Sequence, residues 1–288
     1  MNRFRTLLAL LLAFGLLAAA CGSDEDSVDT AGDSDETARS CDPADPPVKE
    51  AGALTVATGD PVFLPWMQDD DPANEQGFES ALVYAVAAEL GVDTVKWVRV
   101  GFDEAVAPGL KAYDFNIQQY SITPERDEVV DFSDGYYSVE QAIIGAADSD
   151  IAAAATLGDL ADYQLGAALG TTSLDYIDGV IAPGSDALVF DDNAAAKAAF
   201  DAGQVDGIVF DLPTAYFITA VEIPDASIIG VLPRSGDDPE ELGMLFEEGS
   251  PLVGCVNKVL TTLSDNGTLA SLEDEWLNQG GSIPTLSE

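Results

Sequence analysis

The sequence contains no histidine. That absence excludes imidazole-based triads, imidazole metal sites and a switch that titrates through histidine near neutral pH. Basic residues are scarce too. Eleven lysines and arginines stand against 52 aspartates and glutamates, a formal net charge of -41. Such a field repels phosphate backbones and anionic headgroups, so nucleic acid is excluded as a partner. Two uses of the charge stay open: solubility, for instance in a salty medium, and attraction of cationic ligands. Long apolar runs are missing as well. The one candidate, Leu7 to Ala20, is shorter than the roughly 20 residues that a spanning helix needs.

What is present begins with a leader. Asn2-Arg3-Phe4-Arg5 gives a basic start, the apolar run follows, and Leu17-Ala18-Ala19-Ala20 precedes Cys21. Residues 1–20 therefore read as a secretory signal. The junction resembles a bacterial lipobox, in which the cysteine becomes the first residue and carries acyl chains such as palmitate. Those chains would hold the protein at a membrane by burying methylenes. Cleavage at the alanine stretch, leaving a soluble secreted protein, is the alternative. Residues 21–52 are rich in Asp, Ser, Glu, Thr and Pro with almost no large apolar side chain, the composition of a disordered acidic tether. Two cysteines remain, Cys41 and Cys255. Outside the cytoplasm an even remainder suggests a disulfide, with two free thiols as the alternative.

From Leu54 onward strand and helix patterns alternate. Leu54 to Thr58 and Val95 to Val100 read as strands, as do Phe115 to Gln118, Tyr163 to Leu169 and the apolar Val205 to Phe210. Ile143 and Ile144 open another segment. Phe78 to Leu90 has helical spacing closed by Gly91. Helices are also expected over Asp103 to Leu110, from Gly170-Thr171-Thr172, over Ala194 to Ala202 and from Pro213. Two more run over Cys255 to Leu263 and Leu269 to Leu277. No internal repeat is visible. Alternation of this kind implies an α/β fold with mostly parallel sheets, and in such sheets ligands bind beyond the strand ends where helices start.

Ser121-Ile122-Thr123-Pro124-Glu125-Arg126 lies at such a place, ahead of Asp131-Phe132-Ser133-Asp134-Gly135-Tyr136-Tyr137. A hydroxyl and a guanidinium five residues apart can converge on one carboxylate, which the planar fork of arginine matches in a bidentate way. On the residues alone, a surface arginine paired with Glu125 or Asp127 is the competing reading. The two runs together resemble the signature of the family 3 extracellular solute-binding proteins, the polar amino acid binding components of ABC importers. The resemblance extends over residues 53 to 279. It includes Thr58-Gly59-Asp60, Phe63, Pro65-Trp66, Gly77-Phe78-Glu79, Leu169-Gly170-Thr171-Thr172, the run from Gln204 to Asp211, and Asp265-Asn266-Gly267-Thr268 with Trp276-Leu277.

The resemblance implies the two-lobed type II periplasmic-binding-protein fold, with the ligand cleft between lobes joined by two crossover segments. These are expected near Tyr137 to Gln141 and Glu240 to Gly243. Lobe 1 would be residues 53–138 and 243–288, and lobe 2 residues 139–242. It implies that Arg126 clamps a ligand α-carboxylate beside Ser121, that Thr172 adds a contact from the other lobe, and that Asp211 receives the α-ammonium. Asp211 also suits the N-cap of the helix at Pro213. Asp60 fits a second ammonium contact or a loop role. Phe63 and Phe102 match a pair that sandwiches the ligand side chain, with ordinary core as the alternative, and Trp66 divides between core and pocket. The chain departs from the family in Gln118-Gln119-Tyr120 and in Ala167-Ala168-Leu169, which has no polar group. The ligand side chain is then met by a less polar wall or read by Gln119, Glu140 or Glu79. The expected partners are a free amino acid, an ABC transporter permease and, through the lipid at Cys21, a membrane. The expected protein is an extracytoplasmic monomer without catalytic residues, cofactor or metal. A ligand sensor, or a dehydratase or lyase on the same scaffold, is the rival reading.

Overall fold

A computed structural model describes residue 41, residues 45–277 and residues 282–288. The expected leader, the expected acylation position Cys21 and most of the expected tether lie outside the described residues. The first half runs β1 (Ala53–Thr58), α1 (Phe78–Glu89), β2 (Thr94–Arg99), α2 (Phe102–Val106), β3 (Phe115–Asn116), α3 (Pro124–Asp127) and β4 (Asp131–Phe132). After β5 (Tyr137–Val139) come β6 (Gln141–Ala146), β7 (Leu165–Ala168), α4 (Thr172–Tyr176), β8 (Leu188–Phe190), α5 (Asn193–Asp201), β9 (Gly207–Asp211), α6 (Leu212–Phe217) and β10 (Ala226–Val231). The chain ends with β11 (Glu240–Leu242), β12 (Leu245–Phe246), α7 (Val253–Asp265) and α8 (Thr268–Trp276).

Local chemistry sets these boundaries. Gly77 enters α1 with φ 97°, and a Cβ there would stand 2.5 Å from the Trp66 carbonyl oxygen. Only glycine tolerates both conditions. The helix expected to reach Leu110 stops at Val106, because Pro108 disfavours helical backbone at the residue before it. Asp211 caps α6, with Pro213 in its first turn, where a missing N–H costs nothing.

The strands form two five-stranded sheets, ordered β2-β1-β3-β12-β4 and β10-β6-β9-β7-β8, and one small pair, β11-β5. The inner strands of the second sheet are buried on both faces. Ile143 and Val209 point into one apolar cluster, while Ala142, Ile144, Ile208 and Phe210 point into another. This is the period-two alternation of strands covered on each side. The first sheet packs on α1 and α7 through Leu54, Val56, Leu82, Val86 and Val256. The chain passes from the first sheet to the second through β5 and returns through β11, which pair antiparallel from Tyr137↔Leu242 to Val139↔Glu240.

The sheets are mixed, not mostly parallel. β6 enters the second sheet directly from the crossing, and its neighbours β9 and β10 run back toward it, so both pairings are antiparallel. β12 likewise returns from the crossing and pairs antiparallel with β3 and β4. Two segments also depart from expectation. The tether, expected to be disordered up to residue 52, is already fixed by Lys49. The Lys49 backbone N–H donates to Asp114 Oδ1 at 2.6 Å, and its Nζ lies 2.9 Å from Glu247 Oε2. Cys41 and Cys255 form a disulfide with Cα atoms 4.9 Å apart, tying this segment to α7. At the other end, residues 282–288 do not stay with the first sheet. Leu286 joins the cluster around Ile143 and Val209, and its N–H donates to the Val231 carbonyl at 2.9 Å. Its apolar side chain finds there the covered surface that an exposed tail would lack.

Candidate functional site

The loop after β1, the loop after β3, and the ends of β7, β8 and β9 open onto one cavity between the two sheets. Its volume is about 100 Å³. At about 10–15 Å³ per water-sized group, that is room for a small molecule. From the first-sheet side it is lined by Phe63, Trp66, Phe102, Gln119, Ser121 and Arg126. From the second come Gln141, Thr172, Ser173, Phe210 and Asp211, with Asp191 to Asn193 at the end of β8.

Arg126 is placed by the short helix α3, whose cap Thr123 accepts from the Arg126 backbone N–H at 3.3 Å. Its side chain is 7% exposed. Nη1 donates to the Ser121 carbonyl at 2.6 Å, and Nη2 donates to the Gly170 carbonyl on the opposite side at 2.8 Å. The guanidinium carbon lies 5.5 Å from the Phe102 ring centre, within reach of a cation–π attraction. Burial lowers its pKa, but an arginine stays charged throughout the working range.

Asp211 ends β9 on the other side. Its Oδ1 accepts from the Thr214 N–H at 2.8 Å and its Oδ2 from the Thr214 hydroxyl at 2.7 Å. Enclosure by protein raises its pKa to about 6, against the lowering effect of the Thr214 bonds. Among the described residues no cation lies within 4 Å of it, and no carboxylate within 4 Å of Arg126. The two sides touch across the cleft. Besides Arg126 and Gly170, Ser121 Oγ and Thr172 Oγ1 are 3.3 Å apart, and Trp66 Nε1 donates to Thr214 Oγ1 at 2.8 Å.

Eight of the nine expected ligand contacts therefore line one cavity: Arg126, Ser121, Asp211, Thr172, Phe63, Phe102, Gln119 and Trp66. Asp60 does not. It is exposed, and the chain turns beyond it so that Pro61 to Phe63 face the cavity instead. Trp66 is both core and lining, being 3% exposed and edge-on to Phe78 and Tyr137. Phe102 is committed on one face, where it stacks on Tyr120 at 4.4 Å.

The polar group behind the lining is Glu79, fully buried in α1. Its Oε1 accepts from the Tyr136 hydroxyl at 2.5 Å and from the Gln119 N–H at 2.8 Å, and its Oε2 from Gln119 Nε2 at 2.5 Å. Burial raises its pKa to about 7. These bonds hold Gln119 at φ 52°, a left-handed conformation uncommon for a side-chain-bearing residue. Gln119 thus lines the cavity while its amide nitrogen is committed to Glu79. Glu140 is exposed and outside the lining. The residues that sequence reasoning missed are Gln141 and the Asp191 to Asn193 corner. The only signal for the corner was its place after the short apolar run Leu188-Val189-Phe190.

Residues 54–279 match the model of the bacterial extracellular solute-binding proteins, family 3. The chain belongs to that family. Among its relatives, the L-cystine-binding protein TcyJ of Escherichia coli (strain K12) is 26% identical over 236 residues, 80% of this chain and 84% of the relative. The lysine/arginine/ornithine-binding periplasmic protein of the same strain is 30% identical over 240 residues, 78% of this chain and 88% of that one. The solved structure of holo ArgBP from T. maritima aligns with a TM-score of 0.65 at 30% identity, covering 78% of this chain and 96% of that chain. This solute-binding protein accordingly has the two-lobed α/β fold of periplasmic amino acid binding proteins, with its cleft between the lobes.

Proposed function

We propose that this protein captures a free amino acid between its lobes and delivers it to an ABC importer. The observation that carries the reading is the pair Arg126 and Asp211. They are opposite charges on opposite sides of one cavity, and among the described residues neither forms an ion pair within 4 Å. A buried charge without a counter-charge is costly, and a zwitterion would supply both at once. Arg126 and Ser121 would take the α-carboxylate, Asp211 the α-ammonium, and Thr172 would join the carboxylate from the second lobe. Phe63 and Phe102 would border the side chain. Lobe 1 would comprise residues 53–138 and 243–277, and lobe 2 residues 139–242 with the terminal 282–288. Closure would turn on β5 and β11, and it is favoured by the contacts that the ligand makes only in the closed state.

The cystine- and arginine-binding relatives support a long polar amino acid, and the acidic corner at Asp191 and Asp192 suits a cationic end. The ligand would leave unchanged, a reading supported by the binding-protein relatives, and the acids that line the cavity are Asp211, Asp191 and Asp192. Glu79 is closed off by Gln119 and Tyr136. The leader and Cys21 support an acylated protein held at a membrane outside the cytoplasm.

A thermal-shift screen of the twenty amino acids with ornithine and cystine tests the reading, because a ligand that binds only the folded protein raises Tm with concentration. At least one should do so, and mass spectrometry should recover it intact. If none shifts Tm, amino acid capture is wrong. Membrane fractionation of a Cys21→Ala variant, expected in the soluble fraction, tests the anchor.

A further inference from the structure

Glu240 begins β11, the returning crossing strand, opposite Val139. Its Oε1 accepts three hydrogen bonds: from Ser121 Oγ at 2.5 Å, from Thr172 Oγ1 at 2.7 Å and from Gln141 Nε2 at 3.1 Å. Its Oε2 is 3.2 Å from the same Gln141 nitrogen. Gln141 is itself held by Ser173, whose hydroxyl donates to Gln141 Oε1 at 2.6 Å. Glu240 has no basic side chain within 4 Å among the described residues. Two hydrogen bonds of the Arg126 fork go to main-chain carbonyls.

A carboxylate that belongs to the protein therefore sits on the two hydroxyls that the reading above assigns to the ligand. Ser121 comes from the first-sheet side and Thr172 from the second, so the glutamate also bridges the cleft. Each hydroxyl has a single proton and can donate to one carboxylate at a time. Two carboxylates brought to one donor set also repel each other.

We propose that Glu240 is a built-in competitor for the ligand carboxylate. It bridges the lobes through Ser121 and Thr172 when the cleft is empty, and a ligand binds only as those hydroxyls are released from it. This inference rests on the assignment of Ser121 and Thr172 to ligand binding. It adds an affinity-setting residue that touches the site from the crossing strand. The population held in the glutamate-bridged state is subtracted from the population able to bind, so the intrinsic affinity is masked in proportion.

Two variants, Glu240→Ala and Glu240→Gln, test the competitor. Calorimetry with L-arginine and L-cystine reads affinity, and small-angle X-ray scattering of the ligand-free protein reads closure. Circular dichroism melting confirms that each variant is folded. Glu240→Ala should bind whichever amino acid the parent binds about tenfold more tightly, the worth of one charge-assisted hydrogen bond released. Its ligand-free radius of gyration should exceed that of the parent, while the ligand-bound values coincide. Glu240→Gln, which keeps the shape without the charge, should move both readouts the same way by less. Equal or weaker binding in Glu240→Ala overturns the proposal, as does an unchanged ligand-free radius. If the parent binds neither amino acid, the capture reading is at fault for these ligands. The scattering comparison then still decides whether Glu240 holds the empty cleft together.

Discussion

The two sides of the cleft hold opposite charges by opposite means. On the first-sheet side Arg126 is ionised at every working pH and is oriented by two main-chain carbonyls and the Phe102 face. On the second, Asp211 is a conditional charge. The Thr214 bonds that steady its carboxylate compete with enclosure that raises its pKa to about 6. One pole is fixed and the other can be switched off. A site built this way would recognise a dipolar molecule only while both poles are live.

The comparison breaks most severely at the fixed pole. Arg126→Ala should weaken amino acid binding by roughly 2–5 kcal/mol, the usual cost of breaking a buried charge pair on one side, as read by calorimetry. Next comes the carboxylate buried behind the fixed pole. Glu79 binds a proton more tightly when folded, so its contribution to stability is full below about pH 4.5 and declines as pH rises toward 7. The total is on the order of 3 kcal/mol. Glu79→Gln should flatten that decline in denaturant titrations taken between pH 4 and 8, and an unchanged slope would show that Glu79 is not the group responsible. Asp211→Asn keeps a good cap for α6 and should cost about 1.5–3 kcal/mol of binding, less than Arg126→Ala. Equal losses would erase the asymmetry. The smallest effect is the sharpest. Wild-type affinity should fall as pH drops through about 6, by at most about tenfold per unit, because the ligand ammonium must displace a proton from Asp211. In Asp211→Asn that dependence should vanish.

Much of this was legible from sequence, and the parts that were not share a cause. The Ser121 to Arg126 run is a candidate because its hydroxyl and guanidinium are close in sequence at a strand-to-helix junction, but the resemblance to the family is what sets it above a surface arginine. Thr172 and Asp211 are candidates because they match the family's motif at helix starts. Gln141 and Glu240 meet although 99 residues separate them. Only the antiparallel pairing of β5 and β11 brings them together, and neither residue stands in a pattern of its own. The Asp191 to Asn193 corner follows a strand whose Leu188 and Val189 are exposed, so no buried periodicity marked it. Asp60 failed in the reverse way. It lies in a motif, but the motif's neighbours Pro61 to Phe63 took the wall. The terminal residues 282–288 follow a helix that packs on the first sheet, and nothing in Pro284-Thr285-Leu286 says which lobe its leucine will cover.

The cross-cleft bond from Trp66 to Thr214 gives the protein an optical gauge of its own. That indole lies in the cavity wall and its partner Thr214 is a single turn of helix from Asp211, whereas the other two tryptophans, Trp97 and Trp276, stand outside the cavity lining. If the lobes part, Trp66 should exchange its hydroxyl partner for water and its emission should move to the red, returning to the blue when they shut. Stopped-flow fluorescence of the unmodified chain would then follow the movement without a dye or an introduced cysteine.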